Sequence, residues 1–136
     1  TDSNIRISAP LELATLEYSQ RLKQRERNVL IDGPGSTGHA LYAKALAGGA
    51  QALGRNSGAI AEGRFADLMA LDTGHPALCA LTPEQWLDGL IFAAPDGVVT
   101  DLWSAGRHTV QNGRHVAREA VVGTYRKTMR NLLSKL

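Results

Sequence analysis

An α/β fold, helical at the front, β-rich at the rear and closed by one more helix, is predicted by two kinds of pattern. Apolar residues recur at helical spacing from Leu11 to about Val29 and again from Val122 to Leu136. Between them, Gly58 to Asp72 and Val98 to Val116 read as short apolar strands broken by glycine-containing turns.

Each element has its own local reason. Ser8-Ala9-Pro10 supplies a capping hydroxyl and a proline for a first turn, so a helix starts there. Leu11, Ala14, Tyr18, Leu22 and Val29 form its apolar stripe. The opposite face carries Glu12, Glu17, Arg21, Lys23, Arg25 and Arg27, with Glu17 and Arg21 in the favourable order for an ion pair. Asp32-Gly33-Pro34-Gly35 makes a loop, and a second helix runs from Ser36 or Thr37 through Leu46, weakened at Gly48-Gly49 and ended by Gly54. Ala66 to Leu71 is a strand. Thr82-Pro83-Glu84-Gln85 is a capping box for a short helix reaching Phe92. Val98 to Ser104 and Arg107 to Val110 are strands joined by Ala105-Gly106. Asn112-Gly113 accepts the positive φ angles of a type I′ turn. The last helix starts near Arg118, with Val122, Tyr125, Met129, Leu132 and Leu136 on one side and basic residues toward its C-terminal half.

Composition narrows the function classes. At 136 residues the chain can bury one core but is too short for a (β/α)8 barrel, which takes about 250. A net charge of +2 gives no case for a nucleic-acid partner. No apolar run approaches a membrane span, and the opening residues lack the pattern of a secretion signal. The lone Cys79 excludes an internal disulfide and fits a reducing, cytoplasmic setting.

Most reactive-looking residues have a structural reading. His39, His75, His108 and His115 are too widely spaced for a local zinc site, and no His-x-His pair occurs. Gly33-Pro34-Gly35-Ser36-Thr37-Gly38 spells GxGxxG, but a charged helix rather than a buried strand precedes it, so it is expected to be a helix-initiating loop. Asp67 is expected to brace a turn or join an ion pair, and Trp86 and Trp103 to anchor a core or interface. Cys79 has no basic neighbour to lower its pKa and is expected to be buried or inert. Arg21, Lys23, Arg25 and Arg27 form a solvated helix face.

Asp2 is the candidate for chemistry. A carboxylate at the end of a barrel strand can ligate a metal and accept a proton from bound water. Thr1-Asp2-Ser3-Asn4 is followed by Leu16-Glu17-Tyr18, Gln20-Arg21-Leu22, Arg27-Asn28-Val29-Leu30 and Gly35-Ser36-Thr37-Gly38. Then come Gly48-Gly49-Ala50-Gln51-Ala52-Leu53-Gly54, Ala66-Asp67-Leu68, His75-Pro76-Ala77-Leu78 and Ala105-Gly106-Arg107-His108. In this order, and nearly end to end, the chain resembles the C-terminal third of the formimidoylglutamate deiminases of the amidohydrolase superfamily.

The resemblance implies a fold and an activity. Residues 1–55 would be the end of the last barrel strand with outer helices, 56–116 the closing part of a β-sandwich assembled from both ends of the sequence, and 117–136 a C-terminal helix. One divalent metal, Zn2+ by family habit, would hold the water that attacks the formimino carbon of N-formimidoyl-L-glutamate, leaving N-formyl-L-glutamate and ammonia. Asp2 matches the family's aspartate, metal ligand and proton shuttle; the other ligands would lie upstream. The segment alone is then expected to be inactive, to expose stripes such as Leu11-Tyr18-Leu22, and to self-associate. The family commonly forms homodimers. Two other readings stay open: a guanine- or cytosine-type deaminase or chlorohydrolase relative, and a non-catalytic interaction module.

Overall fold

In the computed structural model, residues 5–33 and 35–136 are described. They form a mixed helix and strand structure with four helices and one antiparallel sheet among those residues. Helix α1 spans Ala9–Gln24. Ser8 caps it, its Oγ accepting the Leu11 amide at 3.4 Å, and Pro10 lies in the first turn. The helix stops five residues short of the expected Val29. Arg25 (φ 56°) and Asn28 (φ 54°) both take left-handed conformations, and the chain doubles back along the helix it has just left.

That reversal corrects the expected polar face. Glu17 is completely buried, because the returning chain covers it. Its carboxylate accepts the amides of Val29 and Leu30 at 3.0 Å each, and the Arg21 Nε at 2.7 Å. The Glu17–Arg21 pair is therefore formed as expected, but as an internal fastener of the loop rather than a solvated surface pair.

Helix α2, Thr37–Leu53, begins with Ser36 accepting the His39 amide and runs unbroken through Gly48-Gly49 to a left-handed Gly54. Strands β1 (Leu68–Leu71), β2 (Val99–Ser104), β3 (Arg107–Gln111) and β4 (Arg114–His115) pair antiparallel in chain order. Both tight turns place positive φ at their two central residues, Ala105-Gly106 and Asn112-Gly113, as a type I′ hairpin requires. A single 3-10 turn (Pro83–Gln85) leads into α3, Trp86–Phe92, and the side-chain Oε1 of Gln85 accepts the Thr82 amide at 3.1 Å.

Two small cores result. Ala14, Leu41 and Ile91 knit α1, α2 and α3 together; Leu78, Leu90 and Val98 close the β-rich rear. Helix α3 joins them, because its consecutive residues Leu90 and Ile91 enter different cores. The contacts are close. A Cβ on Gly38 of α2 would stand 2.5 Å from the Asp88 amide nitrogen of α3, so only glycine permits that approach.

Helix α4, Arg118–Leu133, buries no residue. Its stripe is present but largely open: Tyr125 is 63% and Leu132 53% exposed, and Val122 and Met129 are half-buried. The α1 stripe is likewise open in part, Leu11 at 37%, Tyr18 at 44% and Leu22 at 82%. No helix of the described residues is long and apolar enough to cross a membrane.

Candidate functional site

Asp2, the expected catalytic carboxylate and metal ligand, lies outside the described residues. What the structure shows is residues 5–8, which lead into α1. Ile5, Arg6 and Ile7 are exposed, and Ser8 is buried. The tether is one carboxylate. Asp96 accepts Arg6 Nη2 at 2.9 Å on one oxygen and Ser8 Oγ at 3.1 Å on the other. The Arg6 and Ser8 hydrogen bonds hold the Asp96 carboxyl below the usual aspartate range. Asp96 opens a 3-10 turn, Asp96–Val98, whose last residue is fully buried in the rear core, so the backbone beneath the carboxylate is anchored.

The other candidate residues resolve into structural roles. Among the described residues, no three His, Cys, Asp or Glu side chains converge as metal ligands. They therefore do not assemble a zinc site, and Asp2 would add one donor only. His75 and His115 each accept a nearby amide on Nδ1, from Ala77 and Ala117. His108 Nε2 meets Asp101 Oδ1 at 2.7 Å across β2 and β3, and its ring stacks on Trp103 with centroids 4.4 Å apart. Hydrogen bonds from Thr100 and His108 hold Asp101 below its ordinary pKa. This is a cross-strand clasp with no nucleophile to activate.

The glycine-rich loop is not a phosphate cradle. Among the described residues no strand precedes it, and the Gly38 and His39 amides at the start of α2 are already taken. Asp88 of α3 accepts the Gly38 amide at 2.7 Å and Ser36 accepts that of His39. A carboxylate occupies the place a phosphate would need.

Asp67 braces a turn as expected, accepting the Ala105 amide at 2.7 Å and facing Arg55 at 3.6 Å. Cys79 is exposed rather than buried, with its Sγ 3.8 Å from the Pro76 carbonyl oxygen. Trp86 and Trp103 are half-buried. Of the basic cluster, Arg21 turns inward to Glu17 and Asn28, which leaves Lys23, Arg25 and Arg27 outside. A cavity of about 440 Å³ opens between α2 and β1, walled by Tyr42, Leu46, Leu68 and Met69. Its one carboxylate, Asp67, is committed to the turn. The cavity offers mainly apolar surface with no free carboxylate, and burial raises the pKa of the Tyr42 phenol on its wall.

Sequence reading paired Glu17 with Arg21 but set it on a solvated face, and it overlooked Asp88 and Asp96; all three fasten the helical layer. Asp88 and Asp96 act on partners 50 and 88 residues away, and no local pattern announces such pairs.

Comparison with known proteins adds what the geometry lacks. No protein-family model matches the chain. It is 42% identical over 134 residues, 98% of its length, to a formimidoylglutamate deiminase from Pseudomonas aeruginosa, and spans 30% of that protein. An amidohydrolase from Brucella melitensis, known from its crystal structure, shares the fold with a TM-score of 0.83 at 39% identity. That match covers 98% of the chain and 29% of the Brucella protein.

Proposed function

We propose that this chain, a relative of formimidoylglutamate deiminase with the fold of an amidohydrolase segment, is the closing part of a metal-dependent hydrolase acting on N-formimidoyl-L-glutamate. Similarity over 98% of the chain, set against 30% of the relative's length, carries this reading. Residues 1–55 would close a (β/α)8 barrel, 56–116 would complete a β-sandwich from the four-stranded sheet described here, and 117–136 would be the terminal helix. Helix α3, in the second of these segments, packs on α1 and α2 and would join barrel to sandwich.

In the reaction, water adds to the formimino carbon and the carbon–nitrogen bond to ammonia breaks, leaving the N-formyl product. A zinc ion, bound mainly by side chains outside this chain, would supply the activated water. Asp2 would accept the proton that water loses and return it to the departing nitrogen. The fragment by itself would be silent, since one carboxylate cannot hold zinc in a defined open geometry. The complete enzyme would be cytoplasmic and could pair as a homodimer.

The test is ammonia release from N-formimidoyl-L-glutamate by the chain alone and by the longer polypeptide that would contain it. Activity is expected only in the longer protein, and Asp2→Asn should abolish it there. Turnover of guanine or cytosine instead would move the chain to another amidohydrolase. A soluble monomer that melts sharply, in a protein with no hydrolytic activity, would favour the interaction module.

A further inference from the structure

We propose that Asp96 is a positioning residue for Asp2: one carboxylate on the rear core holds Arg6 and Ser8, which follow that aspartate in the chain and lead into α1. The proposal rests on the reading of Asp2 as a catalytic group.

Three observations converge on it. Ile5 and Ile7 are 100% and 80% exposed, so no apolar packing among the described residues of this chain holds residues 5–8 in place. Among the described residues, the side-chain hydrogen bonds that tie residues 5–8 to a distant element both end on Asp96, at 2.9 and 3.1 Å. Asp96 itself is fixed from below, because its 3-10 turn ends on Val98, fully buried against Leu78 and Leu90. Ser8 links the two ends, since the same Oγ that donates to Asp96 accepts the Leu11 amide and caps α1. The cap of α1 and residues 6–8 thus share one tether, the Asp96 carboxylate.

An exposed ion pair contributes little to global stability, because water screens it and two long side chains lose freedom to form it. Placement of a reacting group is more sensitive, since a shift of about 1 Å can cost on the order of a hundredfold in rate. Loss of the Asp96 carboxylate should therefore show in turnover more than in melting.

The experiment compares Asp2→Asn, Asp96→Asn and Asp96→Glu in the longer enzyme. Asp96→Asn is expected to lower kcat about tenfold, with KM within about twofold and Tm within about 2 °C. Asp96→Glu, which keeps a carboxylate, should recover most of the rate. A second readout needs no activity. In the chain itself, tryptic cleavage after Arg6 should accelerate in Asp96→Asn relative to cleavage after the exposed Arg27. Full kcat in Asp96→Asn, with Asp2→Asn inactive, overturns the positioning role and leaves the proposed function standing. So does a rate loss that only follows a fallen Tm. An active Asp2→Asn variant instead brings down the functional reading, and the positioning role with it.

Discussion

Helices α3 and α4 are opposites. Helix α3 has seven residues, a glycine in its middle and too few turns to show a convincing stripe, yet Gly89, Leu90 and Ile91 are all buried. Helix α4 has sixteen residues and the most regular apolar spacing in the chain, yet none is buried. A stripe records which face of a helix must be covered. It does not record whether the covering surface lies in the same chain. The short helix is surrounded because it stands between two cores; the long one has no fully buried residue among the described residues, and its stripe is at most half-covered at Val122 and Met129.

The largest effect should come from α3. Leu90→Ala removes a side chain packed against Leu78 and Val98 in the rear core. A cavity of that kind costs about 2–5 kcal/mol, a large part of the stability of a small domain. Urea unfolding followed by tryptophan fluorescence would measure it. A loss below about 1 kcal/mol would mean that α3 does not hold the two cores together.

Glu17→Gln should come next, at about 2–3 kcal/mol, because a buried carboxylate that satisfies two amides and a guanidinium is replaced by a group that cannot serve all three. Burial alone would raise the Glu17 pKa, but the Arg21 hydrogen bond and the Leu30 and Val29 amides outweigh it and leave it lowered. The sign follows from linkage. A carboxylate with a lower pKa folded than unfolded stabilises fully above its unfolded value, and that contribution is lost as pH falls through the folded value. The gap between wild type and Glu17→Gln should therefore be widest at neutral pH and close in acid. A gap that stays constant down to strongly acidic pH would show that the charge is irrelevant.

How much of this was legible depended on range. The bounds of α2 were readable because Ser36 and Gly54 act on their own neighbours, and the Asn112-Gly113 turn was readable because backbone preference alone selects it. The end of α1 was not, because Arg25 and Asn28 take left-handed conformations with side chains that do not demand them. Once that reversal was missed, Glu17 fell on the wrong face. Asp88 and Asp96 were invisible for a related reason, as each serves an amide or hydroxyl far away in sequence. At the candidate site, Asp2 was singled out by the resemblance of the words around and after it, since one carboxylate has no geometry of its own to recognise.

Gly89→Ala sharpens the contrast between the helices. A Cβ there would stand 2.5 Å from Leu78 Cδ2 and 2.7 Å from Leu81 Cδ1. Alanine is the better helix former by up to about 1 kcal/mol, while overpacking a tight core costs about 1–3 kcal/mol. A modest net loss is expected. The same change at Gly123 in α4 meets nothing within 4 Å and should stabilise. A gain at both sites in thermal melts would show the α3 interface to be looser than drawn.

The smallest effect in this chain should be in α4, and it is the most diagnostic. Met129→Ser places a hydroxyl at a half-buried position of the stripe beside Tyr125 and Leu132, and with no fully buried residue in the helix the cost should stay within about 1 kcal/mol. If the stripe is covered in a longer polypeptide, the same substitution there removes a buried side chain and should cost about 2 kcal/mol or more. The difference between the two costs measures the missing surface directly. Equal small costs in both proteins would mean that the stripe stays open in the complete enzyme. Equal large costs would mean that the chain already covers α4 in solution, by self-association that a sedimentation measurement would reveal. Either outcome would end the contrast between the two helices, because α4 would then be a helix whose pattern has no partner at all, or one that finds it in another copy.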